Sequence, residues 1–201
     1  MSTLPNSGFT LSETAVKRRC FLRYSLAAIA AVGLVRPVRA EPGITGHSAP
    51  QLKVPHWIDG KGQAMKFDAN SLHGRWVVMK FFQSWCPGCH SHGFPTMQSI
   101  SKEFGEHPQV RLLAVQTVFE GFTTNTQDRL QEMQDRYDLR IPFGHDAGSP
   151  QGDHLPRTMR DYRSGGTPWL VIVSPDRQVI FDGFRLSASK FADWLRPQLK
   201  A

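Results

Sequence analysis

Apolar residues along the chain fall into β-branched and aromatic runs separated by amphipathic and turn-rich stretches. Arg75-Trp-Val-Val-Met-Lys-Phe-Phe82 suits a buried central strand, and Gln109 to Val118 a second core strand. Trp169 to Val173 and Gln178 to Phe181 flank Ser174-Pro175-Asp176-Arg177, which reads as a β-hairpin with its turn. Alternation in Met65-Lys-Phe67-Asp-Ala69 predicts a short strand after the turn at Asp59-Gly60. Pro87 suits the first helical position, where a missing N–H costs nothing, so a helix opens there and runs towards Phe104 with a kink at Pro95. Leu130, Met133 and Tyr137 share one face of a second helix, with Asn125 or Thr126 as its cap. Leu139-Arg-Ile141 reads as a brief extended piece, 143–156 as a turn-rich loop, and 157–162 as a short helical segment. A last helix directs Phe191, Trp194 and Leu195 inward. The order predicts an α/β fold, a central mixed sheet flanked by helices, with no internal repeat.

Composition adds that 201 residues with 40% hydrophobic and 20% charged side chains make one packed domain plus a tail, which excludes wholesale disorder and a polytopic membrane protein. The net charge of +7 is unevenly placed. Residues 1–40 carry six bases (Lys17, Arg18, Arg19, Arg23, Arg36, Arg39) against Glu13, a net of +5, which leaves +2 for the remainder and removes the footprint expected of a nucleic-acid partner. The run from Tyr24 to Val35 is twelve residues, short of the ~20 needed to span a bilayer. Val38 and Ala40 suit a signal-peptidase cut after Ala40, and Lys17-Arg18-Arg19-Cys20-Phe21-Leu22-Arg23 resembles a twin-arginine export signal. The reading is a signal peptide over 1–40, a Gly/Pro/Ser-rich linker over 41–50 and a domain over 51–201 in the periplasm; an uncleaved leader would serve as an N-terminal membrane anchor instead.

With Cys20 removed, the exported chain keeps Cys86 and Cys89. Spaced i and i+3 at a helix start, they can close a small disulfide, and the helix N-terminus favours a thiolate at Cys86, where a thiol pKa can fall to roughly 3.5–7.5. Exchange then proceeds through a mixed disulfide at Cys86, the nucleophile, which Cys89 resolves. Two other readings fit locally. Cys86-Pro-Gly-Cys89-His90 satisfies the pattern for covalent haem attachment in a c-type cytochrome, and Cys86, Cys89, His90 and His92 offer a zinc ligand set, although one tight cluster supplies four tetrahedral ligands poorly. His145, Asp146, Asp153 and His154 are a further metal candidate, read more simply as a polar loop.

Context separates these. Asp59-Gly60-Lys61, Leu72-His73-Gly74-Arg75, Trp85 with the two cysteines, Pro95, Asp146 and Gly166-Thr167-Pro168 occur in an order that resembles the TlpA/ResA-like thiol-disulfide oxidoreductases of the thioredoxin superfamily. The resemblance covers about 150 residues and implies a thioredoxin-like fold with an N-terminal strand extension and an insertion before the cis-Pro strand. It implies no cofactor, Pro168 as a cis-proline facing the cysteines, and Thr167 as the backbone platform for an extended substrate. It further implies reduction of exported protein disulfides, during cytochrome c or oxidase maturation, with electrons from a membrane donor of the DsbD or CcdA kind. Two departures stand out. Pro-Gly separates the cysteines where the family often has a residue followed by Pro. One residue is inserted after Cys89, so that His92 stands where a glutamate is common and Pro95 comes one place late. His92 is therefore the expected proton acceptor for Cys89, with Glu120 in reserve. Trp85 and Phe82 are expected to line the site. A peroxiredoxin-like antioxidant activity is disfavoured by Gln83, three residues before Cys86, where a peroxidatic site needs Thr.

Overall fold

The computed structural model describes residues 41–199. The expected twin-arginine segment, Cys20 and the cut after Ala40 lie outside the described residues, among which no helix is long and apolar enough to cross a membrane. Seven strands form one sheet in the order β2-β1-β5-β4-β3-β6-β7: β1 His56–Ile58, β2 Ala64–Met65, β3 Trp76–Phe82, β4 Val110–Val118, β5 Phe143–Ala147, β6 Trp169–Val173 and β7 Val179–Gly183. β3, β4 and β5 run parallel, and the remaining pairs are antiparallel. Helices α1 Phe94–Phe104, α2 Arg129–Tyr137, α3 Arg157–Asp161 and α4 Ala188–Leu195 complete the fold.

The central strand is buried on both faces, as parallel strands require. Val78 and Phe82 face one core with Phe94, Met97, Ile100, Leu130, Phe191 and Leu195 from α1, α2 and α4. Val77, Met79 and Phe81 face the other, with Trp57, Tyr162, Val171 and Val179. Each such side chain contributes about 1.5–3 kcal/mol on burial. The Arg196–Glu103 pair between α4's end and α1, at 2.7 Å, is exposed to solvent and adds little, so apolar packing holds the helices.

Several expectations are corrected. The 143–156 loop contains β5, whose Phe-Gly-His-Asp-Ala has little strand character of its own but pairs with β4 on one side and β1 on the other. Leu139-Arg-Ile141 forms no strand; it follows a left-handed Asp138 that ends α2, and Leu139 N donates to Gln134 O at 3.0 Å. The strand expected over 65–69 stops at Met65; Phe67 stacks on Trp57 at 4.2 Å, and Ala69–Leu72 is a 3-10 turn capped by Asp68. Helix α2 begins after Asp128, so neither Asn125 nor Thr126 caps it. Trp194 is 44% exposed rather than inward, edge-on to Trp76. The expected linker 41–50 packs as part of the fold: Ile44 is buried, its N–H bonds Asp182, and Gly46 and Ala49 donate to Val179 and Arg177 carbonyls.

The helix after the cysteines does open at Pro87, but Pro95 falls in the first turn of α1 and not in the interior of one continuous α-helix. Cys89–Gly93 forms a π turn instead, in which Phe94 N–H reaches back to Cys89 O, before α1 continues. A π turn bonds i to i+5 and so holds one residue more than an α turn.

Candidate functional site

Strand β3 delivers the chain to Gln83-Ser84-Trp85 at the C-terminal end of the parallel strands, and a buried Asn125 fixes it there. Asn125 Oδ1 accepts from Ser84 N at 2.7 Å and Ser84 Oγ at 2.9 Å, while Asn125 Nδ2 donates to the Glu120 and Gly121 carbonyls, both at 3.2 Å. Cys86 follows at the head of the helical segment. Its sulfur lies 3.3 Å from Cys89 N and 3.4 Å from the Thr167 carbonyl oxygen, and both cysteines are free thiols. The Thr167–Pro168 bond is cis. Glycines let the Pro168 ring approach: a Cβ on Gly88 would stand 3.0 Å from Pro168 Cδ, and one on Gly93 would stand 2.9 Å from Pro168 Cβ. Cys86, Cys89, Thr167 and Pro168 are thus brought together in one place.

The two sulfurs are electrostatically unequal. A hydrogen bond from the Cys89 thiol brings Cys86 down to about 5; Thr167, the Cys89 N–H and the Lys80 charge assist, against the opposing effect of burial. Donating that bond, together with burial, drives Cys89 far above the ordinary thiol range. Cys86 is the more exposed of the two, at 7% against 0%, which fits the same division into outer thiolate and inner thiol.

Lys80 is the site residue that the sequence reading passed over. It projects from the middle of β3 on the same side as Val78 and Phe82, fully buried, and no acceptor meets its ammonium in hydrogen-bonding geometry. Nζ lies 4.4 Å from the Phe94 ring centre and 6.0 Å from that of Phe82, a cation–π environment. Burial lowers its pKa to about 8, opposed by the negative charge of Cys89 and Cys86 and by a polar contact with the Cys89 sulfur. A Cβ on Gly93 would fall 2.1 Å from Nζ, so the π turn and its glycine roof the ammonium. A lysine inside a strand buried on both faces was itself the available signal, because lysine is almost never fully buried without a reason.

The expected proton acceptors lie elsewhere. His92 is exposed and bonds Ser91 Oγ at 2.7 Å, because the π turn rotates it outward. Glu120 is exposed as well, and its carbonyl serves Asn125. His90 is held from both ring nitrogens, Nε2 donating to Ser84 O at 2.7 Å and Nδ1 accepting from Tyr137 Oη. Phe82 is core rather than lining, and Trp85 is 45% exposed beside Gly121. The polar residues of 145–154 separate: His145 Nδ1 bonds Gln116 Oε1 at 2.8 Å, Asp146 accepts from Thr158 N at 2.6 Å, Asp153 pairs with Arg160, and His154 leans on Phe122. Among the described residues, no three His, Cys, Asp or Glu side chains converge as a ligand set. A cleft of about 260 Å³ is lined by His92, Gly93, Thr96, Leu170, Phe184, Arg185, Leu186 and Ser187.

Comparison with solved structures places the fold. A thioredoxin-like superfamily protein shares 28% identity at a TM-score of 0.65, covering 75% of this chain and 94% of its own. A thiol-disulfide isomerase from Corynebacterium glutamicum shares 27% at 0.65, covering 76% and 97%. A thiol-disulfide oxidoreductase from Bacteroides fragilis, 17% identical at 0.56 over 76% and 100%, shares the same fold. The architecture is therefore the thioredoxin-like α/β fold. Comparison with functionally curated proteins gave no match. The sequence profile of the AhpC/TSA family matches residues 45–181, well over half of the chain, and the chain belongs to that family of redoxins.

Proposed function

We propose that the chain is a thiol-disulfide oxidoreductase that reduces protein disulfides through Cys86 and Cys89. The observation that carries this reading is the placement of the pair: the Cys86 sulfur stands 3.4 Å from Thr167 O beside the cis Pro168, with Cys89 fully buried behind it, and the same arrangement lowers Cys86 and raises Cys89. The Cys86 thiolate attacks one sulfur of a substrate disulfide, forms a mixed disulfide and releases the other as thiolate. Cys89 then attacks the Cys86 sulfur, closes the Cys86–Cys89 disulfide and frees the second substrate thiol. Once Cys86 is a thiolate its sulfur no longer donates to Thr167 O, which leaves that carbonyl to accept an N–H from an extended substrate segment beside Pro168. In the TlpA-type version of this reading, the leader exports the protein to the periplasm and a membrane thiol carrier of the DsbD or CcdA kind re-reduces it.

The c-type haem reading fits the chain poorly, because His90 Nε2 is spent on Ser84 O and the Cys89 sulfur is fully buried. Family membership keeps peroxide as a second electrophile for Cys86, but Gln83 turns inward, its Nε2 donating to Thr117 O at 3.3 Å, where peroxidase chemistry needs a hydroxyl. Cys86→Ser should abolish reduction of a model protein disulfide, and Cys89→Ser should accumulate mixed disulfides. A Cys86→Ser variant that keeps full activity, or a wild type that consumes peroxide while leaving disulfides intact, refutes the proposal.

A further inference from the structure

Resolution requires Cys89 as a thiolate, yet Cys89 is fully buried and donates its proton to Cys86 in the resting state. Once Cys86 is tied up in a mixed disulfide that acceptor is gone, and a buried base must replace it. Both sequence candidates, His92 and Glu120, are exposed, and His92 is turned to Ser91. Lys80 is buried, its Nζ 4.4 Å from the ring centre of Phe94, which shares one core with Cys86 and Cys89. It is within the electrostatic reach of both sulfurs, roofed by Gly93 one π turn after Cys89, and without a competing acceptor.

The groups facing it leave Lys80 no other proton partner. The helical turn contributes Cys86 and Cys89. Its register neighbours on β4 and β6 are Ala114 and Leu170, both buried and apolar. Phe94 covers the ammonium, and the titratable groups behind that ring, His90 and Tyr137, bond each other. No carboxylate pairs with Lys80 among the described residues. Burying an unpaired ammonium is costly, so its charge depends on the sulfurs.

Resting on the dithiol reading above, we propose that Lys80 is the proton-exchange partner of the Cys86–Cys89 pair, taking the Cys89 proton during resolution and remaining as a neutral amine beneath the closed disulfide. The balance is complete. The reduced site holds a Cys86 thiolate, a Cys89 thiol and a Lys80 ammonium, with no net charge. Attack by Cys86 transfers its charge to the departing substrate thiolate, which takes the Lys80 proton by way of solvent. The neutral amine then accepts the Cys89 proton, the Cys89 thiolate attacks the Cys86 sulfur, and the second departing thiolate takes that proton in turn. Two electrons and two protons pass to the substrate, and the oxidised site is again uncharged.

A pair whose Cys86 is already ionised takes up one proton on reduction, whereas a pair coupled to Lys80 takes up two. The test is the pH dependence of the wild-type Cys86–Cys89 couple, measured against a dithiothreitol series between about pH 6.5 and 7.5 and corrected for the two protons that dithiothreitol itself releases on oxidation, with thiolate absorbance confirming that Cys86 stays ionised. The expected change is hundredfold per pH unit, about 59 mV, falling in Lys80→Met to tenfold, about 30 mV. Mixed-disulfide resolution in Lys80→Met should slow at least tenfold near neutrality and recover as pH rises. A tenfold slope in the wild type, or an unchanged hundredfold slope in the variant, overturns the role of Lys80. The wild-type slope decides the matter even if the variant does not fold. If Cys86→Ser still reduces disulfides, it is the dithiol reading that falls, a failure read from activity and not from the slope.

Discussion

Replacing Lys80 by Met removes a charge from a place where the fold gains nothing from it in stability. The unfolded chain holds the proton up to 10.5, and the folded chain releases it near 8. A base whose pKa is lowered by folding destabilises the native state in full below the folded value, and the penalty fades as pH rises towards the unfolded one. The gap corresponds to about 3 kcal/mol near pH 7, at about 1.4 kcal/mol for each pH unit between the two values. Because Nζ meets no oxygen acceptor and engages only the cysteine sulfurs, Met removes the charge without stranding a buried carbonyl or carboxylate, and its flexible side chain suits the space between Phe82 and Phe94. Reduced Lys80→Met should therefore be more stable than the wild type by about 3 kcal/mol near pH 7, or about 6–12 °C in Tm for a domain of this size. Near pH 9.5 the gain should shrink to about 1 kcal/mol. Urea unfolding in the presence of reductant at the two pH values measures both. A variant less stable than the wild type at neutral pH, or a gain that does not change with pH, would show that the buried ammonium is not strained by desolvation.

Three further outcomes follow from the geometry. Alkylation of the reduced protein should rise with a midpoint near pH 5 from Cys86 alone, leaving Cys89 unmodified until the protein unfolds; mass spectrometry of quenched samples reads both. Gly93→Ala places a methyl group 2.1 Å from Lys80 Nζ and 2.9 Å from Pro168 Cβ, so the usual helical benefit of alanine should reverse into a loss of about 1–3 kcal/mol in chemical denaturation. Asn125→Ala strands the buried Ser84 N–H and should cost about 1–3 kcal/mol; in this variant slower disulfide reduction should accompany the lower Tm, because Ser84 holds the approach to Cys86.

What could be read from residues alone follows from the range of the forces involved. The β3, β4 and β6 runs were legible because strands buried on both faces are written as continuous apolar segments. Strand β5 was not, because Phe-Gly-His-Asp-Ala is a strand by virtue of its two neighbours, and pairing partners are remote in sequence. Residues 41–50 look like a linker by composition, and their anchors, Asp182 and the Val179 carbonyl, stand more than a hundred positions away. The cysteines could be found because their chemistry is carried by residue type, whereas Thr167-Pro168 was found only through the family resemblance. His92 was misplaced because spacing was converted to proximity on the geometry of an α-helix, and the turn there is π. Lys80 was overlooked because a single charge inside an apolar run was read as part of the run.

The five residues Cys89–Gly93 also impose a phase relation. Each residue of an α-helix turns the side-chain direction by about 100°. Upstream, the angular position of the helix is dictated by Cys86 meeting Thr167; downstream, it is dictated by Phe94, Met97, Ile100 and Phe104 facing the sheet. The wider turn is the gear that reconciles the two. Removing any one residue from it would leave the composition almost unchanged yet rotate one half against the other, taking either the sulfurs from their carbonyl or four side chains from their core. The number of residues in this segment is thus under tighter constraint than their identities, Gly93 excepted.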